Sequence, residues 1–244
     1  MARTAAALII GNEILTGKVN EANVIVMAKE LFDLGVELRR IVVCPDEIPV
    51  IVRDLRELSQ SHDVVITSGG VGPTHDDVTI KAVAAAFNVA VVRSPLYESM
   101  LRAHYGDRLT DMHLRMADVP EGARLASSAE TSWPTVVMKN IYVFPGVPQI
   151  FKHKFPLMRD ELRNQSRFFS HSVYVGLDEP ALAPLLDALA LAHPLVNIGS
   201  YLYWGDDSDY RTKLTIDGRD VDAVERCFTA MVAGIPSDRL VRVE

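Results

Sequence analysis

The sequence predicts an α/β protein, a mostly parallel, doubly wound sheet followed by a smaller α+β unit. Three observations predict it. Short continuous apolar runs at residues 5–10 and 63–67 read as strands buried on both faces. Helical patterns separate the strands, as right-handed β-α-β crossovers require. Near residue 166 the order changes to strand, helix, strand, strand, helix, strand, a split βαβ unit of the ferredoxin-like kind.

Each element has its own signal. After the strand at 5–10, Asn20 is placed to cap a helix reaching Leu34, with Ala28, Leu31 and Phe32 on one face and Gly35 as its stop. Residues 36–43 alternate apolar and charged and read as a less buried strand. Pro49 sits in the first turn of a helix over 48–58. The strand at 63–67 runs into a glycine-rich loop, followed by an alanine-rich helix over 78–87 and a strand over 88–92. Ser94-Pro95 opens a helix to about Tyr105, and 112–117 makes a shorter one. Residues 120–139 show no clear period. A strand at 140–144, a loop at 145–148 and a helix over 149–162 close the first domain, placed at 1–166. The second, 167–244, carries strands at 171–175, 196–203, 210–216 and 240–243, with helices over 180–192 and 221–233.

Composition excludes several classes. The 244 residues hold 25 Lys plus Arg against 32 Asp plus Glu, a formal charge of −7, and no local basic run offsets it. A nucleic acid partner is therefore not expected. Apolar residues at 48 % and charged ones at 23 % are ordinary for a globular protein, which argues against disorder. Cys44 and Cys227 form neither a close pair nor a metal-type spacing. The longest apolar stretches are far too short to span a bilayer, and Gly11, Asn12 and Glu13 interrupt any signal-like core. The expectation is a cytoplasmic protein with no membrane partner.

The strongest local signal is Ser68-Gly69-Gly70-Val71-Gly72-Pro73-Thr74-His75-Asp76-Asp77-Val78-Thr79. It lies between a buried strand and a helix, where open α/β sheets bind ligands. Glycines let backbone N–H groups approach a phosphate, and the helix start favours negative charge. Thr74 or Thr79 can donate a hydroxyl hydrogen bond. Asp76 and Asp77 are poised either to hold a divalent cation beside the phosphate or simply to cap the helix. The segment has neither the Lys-Ser/Thr ending of a P-loop nor G-x-G-x-x-G spacing. On this reading a side chain at Gly70 blocks the ligand.

Asp46, in Pro45-Asp46-Glu47, is a metal ligand, a general base or the N-cap of the following helix, and position alone favours the cap. Glu13, in Gly11-Asn12-Glu13-Ile14-Leu15-Thr16-Gly17, joins a metal site or stays a solvated loop carboxylate, the commoner outcome. Pro145-Gly146-Val147-Pro148 makes a stiff turn at a strand end, suited to lining a pocket or merely redirecting the chain. Of the seven histidines only His75 lies in the glycine loop, and no HExxH or G-x-S-x-G motif is present.

Taken together with Asn23, these four loops resemble, in order and spacing, the molybdopterin-binding-like domain family. That family is shared by molybdenum cofactor biosynthesis proteins of the MoaB and Mog type, CinA proteins and the front half of eukaryotic FAD synthases. The Thr74-His75-Asp76-Asp77 form of the glycine loop looks most like the FAD synthase version, and residues 196–201 (VNIGSY) are similar to a segment of the same group's second subdomain. The resemblance implies a three-layer sandwich. It implies metal binding and catalysis at Asp46 and Asp77, and a glycine loop that holds a pterin phosphate or nucleotide pyrophosphate. The chain departs at Asn12, where many relatives have Asp or Thr. It departs again at residues 130–136, where a CinA motif of the form Asn-x-x-Gly-x-Ala-Pro-Gly is not reproduced. Ending at Glu244, the chain is expected to carry neither a deamidase nor an FAD-synthesising domain.

The expected function is then divalent-metal-dependent hydrolysis of FAD or ADP-ribose to AMP plus the other phosphate half. The alternatives are a non-catalytic molybdopterin or nucleotide binder, and a molybdenum cofactor biosynthesis enzyme. The catalytic set is Asp77, Asp46 and Glu13. Asp77, Asp46 and Asp76 would hold magnesium, manganese or cobalt. Gly11, Asn23, Ser68, Gly69, Gly70, Gly72, Thr74, Thr79, Pro145, Gly146 and Pro148 would contact the ligand. Relatives are dimers or trimers, so a homo-oligomer is expected.

Overall fold

The apolar run near the N-terminus becomes β1 (Thr4–Ile10), buried at every position from Ala5 onward. The computed structural model describes residues 3–126, 133–164, 166–205 and 207–244. The chain divides into Met1–Gln165 and Ser166–Glu244.

In the first unit β1 is followed by α1 (Asn12–Leu15), α2 (Asn23–Asp33), β2 (Glu37–Cys44), α3 (Ile48–Ser61), β3 (Val64–Ser68) and α4 (Thr79–Ala86). Next come β4 (Val91–Arg93), α5 (Pro95–Tyr105), α6 (Asp111–Leu114), β5 (Asp118–Pro120), β6 (Arg124–Ala126), β7 (Thr135–Met138), β8 (Ile141–Phe144), α7 (Pro148–Lys154) and α8 (Arg159–Leu162). The main sheet runs in the order β2-β1-β3-β8-β7-β6. Its first four strands are parallel, and β7 and β6 add on antiparallel.

Alternation along β1 explains the layers. Ala6, Leu8 and Ile10 pack with Ile51, Leu55 and Leu58 of α3 and with Ala82 and Val83 of α4. Ala5, Ala7 and Ile9 pack with Met27 and Leu31 of α2 and Phe151 of α7. Helices therefore cover both faces, giving the three-layer sandwich. Residues 48–52 of α3 are rich in β-branched side chains, which disfavour helix by a few tenths of a kcal/mol each. Burying Ile51, Leu55 and Leu58 contributes about 2 kcal/mol each and decides the outcome.

Several local expectations are corrected. The helix expected from Asn20 begins at Asn23. The residue that satisfies its first N–H groups is Glu21, whose Oε1 accepts from Asn23 and, at 2.8 Å, from Val24. The strand expected at 88–92 is β4, which pairs with β5 in a separate antiparallel ribbon. The segment without a period, 120–139, supplies β6 and β7 to the main sheet. The helix expected over 149–162 ends at Lys154 and resumes at Arg159. Between them a tighter turn holds Pro156, which lacks an N–H and crowds the preceding turn. Of the departure from the CinA motif at 130–136, residues 130–132 lie outside the described residues.

The second unit contains β9 (Phe169–Val175), α9 (Glu179–Ala192), β10 (Val196–Leu202), β11 (Thr212–Gly218), α10 (Val221–Gly234) and β12 (Leu240–Val243). The sheet order β10-β11-β9-β12, antiparallel throughout, places β11 between the two strands that α9 joins, as a split βαβ unit does. Val173 and Val175 of β9, with Leu214 and Ile216 of β11, pack on Leu182 and Leu189 of α9 and Val224 and Met231 of α10. No described helix of either unit is long and apolar enough to cross a membrane.

Candidate functional site

The site is built where β3 ends. Gly69 has φ +108°, and a Cβ there would lie 2.0 Å from the Ile10 carbonyl oxygen at the end of β1. Gly70 has φ +62°, and its Cβ would lie 2.4 Å from Thr79 Oγ1. Both positions therefore need glycine for the fold itself. The Gly69 N–H donates to the Phe144 carbonyl at the end of β8, so it is not available to a phosphate as expected. Thr79 was expected to contact a ligand. It is fully buried instead, its hydroxyl donating to the Gly69 carbonyl at 2.8 Å and its N–H to the Gly70 carbonyl at 3.1 Å. A Gly70→Val change would accordingly strike Thr79 before any ligand.

Beyond Gly70 the loop turns on Thr74. Its N–H donates to Asp77 Oδ2 at 2.8 Å, and its hydroxyl lies 2.6 Å from Asp76 Oδ1 and also against Asp77 Oδ2. One hydroxyl proton thus faces two carboxylates. The hydroxyl bond holds Asp76 below the usual carboxylate range. Neither aspartate caps α4, whose first turn lacks a side-chain cap. A Cβ on Gly72 would sit 2.6 Å from Asp77 Oδ2, so the bare glycine admits that carboxylate against the backbone.

These residues wall a cavity of about 580 Å³ at the carboxyl ends of β3 and β8. Gly70, Gly72, Thr74, Asp77 and Pro145 of the expected set line it, with Val71 and His75. Among the described residues the N–H groups of Gly70, Val71 and Gly72 have no intramolecular acceptor. Successive backbone N–H groups without acceptors are the kind of donor row that anion-binding nests use.

Other expected residues brace the wall from behind. Asn23 is buried, its Nδ2 donating to Ser68 Oγ at 2.9 Å and to the Gly146 carbonyl at 2.8 Å. A Cβ on Gly146 would meet Gly69 Cα at 3.2 Å, so the two turns pack backbone to backbone. Asn23, Ser68 and Gly146 thus join the ends of β3 and β8 to the start of α2 and are not on the lining, and Pro148 begins α7.

Asp46, Glu13 and Gly11 are likewise not on the lining. Asp46 does not cap α3, whose flanking residue is Glu47. Its Oδ2 accepts the Asn12 N–H at 2.8 Å, fastening the loop after β2 to the loop after β1. Glu13 folds over Gly11, where a Cβ would meet its Oε1 at 2.5 Å. Among the described residues no three His, Cys, Asp or Glu side chains gather as a metal cage.

The far wall was not foreseen. Tyr97 and Tyr105 from α5, with Trp133, line the cavity, their ring centroids 6.1 and 6.2 Å from that of Trp133. Burial pushes the Tyr97 hydroxyl up to about 12. Lys81, Arg115 and Lys154 share the lining with Asp77 and Asp118, and Asp118 is already paired with Arg93. The wall is assembled by tertiary packing from α5, the 115–118 turn, Trp133 and α7, and no linear motif announces it.

Residues 6–164 match the family model described as a probable molybdopterin binding domain. The chain belongs to that family. Residues 167–244, outside the molybdopterin-binding domain, match a model described as the middle domain of FAD synthase. A probable FAD synthase of Caenorhabditis elegans is 32 % identical over 257 residues, covering 94 % of this chain and 49 % of the relative. A CinA-like protein of Myxococcus xanthus is 33 % identical over 208 residues, covering 79 % and 49 % respectively. The chain thus spans about half the length of these two relatives. The crystal structure of a CinA protein of unknown function from Thermoplasma acidophilum superposes with a TM-score of 0.60 at 28 % identity, covering 66 % of this chain and 98 % of that one.

Proposed function

We propose that the cavity of the molybdopterin-binding domain hydrolyses the pyrophosphate of FAD or ADP-ribose, giving AMP and FMN or ribose 5-phosphate. The observation that carries this reading is the row of free N–H groups at Gly70, Val71 and Gly72 beside Asp77, on the wall of a cavity that also presents aromatic rings. A relative named probable FAD synthase, and the FAD synthase middle-domain match, support the nucleotide class.

In the reaction a water oxygen forms a bond to one phosphorus. The bridging P–O bond breaks, and the water proton passes to a base or to solvent. Charge grows on the non-bridging oxygens, and the N–H groups of Gly70, Val71 and Gly72 would stabilise it without reorganising. The rings of Tyr97, Tyr105 and Trp133 would seat a flat base or isoalloxazine. Asp77 would hold a divalent ion such as magnesium, manganese or cobalt, with Asp76, which is off the lining, tied to the same Thr74 hydroxyl behind it. Such an ion ordinarily uses one or two carboxylates plus substrate phosphates, so the lack of a three-ligand cage among the described residues fits it. When bound, it supplies neutralisation of the pyrophosphate and a lowered pKa for water. Asp46 and Glu13, off the lining, are support for the neighbouring loops in this reading and not catalytic groups.

The test is AMP release from FAD and ADP-ribose with each of the three metals, beside Asp77→Asn. Metal-dependent release, lost at least about 100-fold in the variant, is expected. A silent wild-type protein that still binds molybdopterin or nucleotide would instead make the domain a non-catalytic binder, the reading favoured by the family description. Light scattering tests the expected homo-oligomer.

A further inference from the structure

Lys154, in the last turn of α7, lines the cavity yet is only 8 % exposed. Its Nζ donates one hydrogen bond, to the Pro134 carbonyl at 2.9 Å, leaving two of the three ammonium donors unused. Among the described residues no carboxylate pairs with it, whereas buried charges are ordinarily paired. Burial alone pulls its pKa down to about 8.

The other charged or titratable groups on the lining do not supply the missing counter-charge. Asp77 is held by the Thr74 N–H and hydroxyl, and Asp118 by Arg93. Tyr97 stays neutral, with its pKa near 12. His75, Lys81 and Arg115 add no negative charge. The cavity therefore holds a buried cation with two free donors, on the same lining as a row of backbone N–H groups that also lacks acceptors.

We infer that Lys154 is the anion receptor of the cavity, donating its two free N–H groups to a phosphate oxygen of a pyrophosphate-bridged ligand. This rests on the reading of the cavity as a phosphate site, and not on hydrolysis there. The bland alternative is a brace, in which Lys154 merely fixes the Pro134 carbonyl beneath Trp133.

The two roles separate on ligand charge. Calorimetric titration of ADP-ribose and FAD, with adenosine as the neutral control, is made in metal-free buffer on wild type, Lys154→Arg and Lys154→Met. Affinity for ADP-ribose and FAD should fall about 10-fold or more in Lys154→Met, recover in Lys154→Arg, and stay constant for adenosine. Unchanged affinity for the charged ligands, or an equal fall for all three, would overturn the inference.

Should Lys154→Met not fold, the wild-type protein alone decides. The pyrophosphate diester of ADP-ribose has no proton to exchange near pH 8, so its binding should draw in up to about half a proton as Lys154 becomes fully charged. Titration in two buffers of different ionisation heat reads this, and zero uptake overturns the assignment. Lys154-dependent binding without turnover on adding magnesium would refute the hydrolase reading and leave the receptor standing. Turnover indifferent to Lys154 would do the reverse.

Discussion

Asp46 Oδ2 accepts the backbone N–H of Asn12 at 2.8 Å, across the ends of two neighbouring parallel strands. The bond turns a residue that resemblance places in catalysis into a strut between loops. Asp46→Ala should therefore lower stability by about 1 kcal/mol, read in urea, and reduce AMP release by less than 10-fold. Loss of turnover with unchanged stability would return Asp46 to the metal.

Gly69→Ala tests the backbone floor. A Cβ 2.0 Å from the Ile10 carbonyl, at φ +108°, cannot be absorbed by rotating a side chain. Destabilisation of about 3 kcal/mol or more is expected by thermal melt. A soluble variant of wild-type stability would mean that β1 and β3 part more easily than their packing suggests.

Lys154 gives stability a pH dependence of known sign. Its folded pKa is about 8 against 10.5 for an exposed lysine, so between these values the unfolded chain binds more protons. Stability then rises with pH across that window, by about 3 kcal/mol at most, and the penalty is fully present below it. Urea midpoints of wild type minus Lys154→Met from pH 7.5 to about 10.5 should show the rise, and a flat difference would contradict the buried-cation assignment.

Cys44 is buried at the end of β2, and burial pushes its thiol up to about 12. Native protein should react with iodoacetamide at Cys44 far more slowly than urea-unfolded protein does, with mass spectrometry locating the label. Equal rates would mean that the edge strand opens readily.

The layers were legible in the sequence because β1 and β3 are apolar without interruption and only burial on both faces makes that stable. The glycine loop was legible as a place, less so in its division of labour. Gly69 and Thr79 read as ligand contacts, but their bonds to Phe144 and to each other depend on how three strand ends converge. Asn20 is the stronger capping type in sequence, but it is the Glu21 carboxylate that accepts from the Asn23 and Val24 N–H groups. Trp133 and Lys154 give no signal in the sequence, since one lies within a segment without period and the other sits on a helix shortened before Pro156.

Gly70 and Gly72 leave part of the pocket wall made of main chain. Such a surface cannot drift by side-chain substitution, so whatever it recognises must be common to every ligand the scaffold has ever accepted. Ligand preference is then free to evolve only at Tyr97, Tyr105, Trp133 and their neighbours. A designer wishing to retarget this scaffold would leave the glycines alone and build the library on α5.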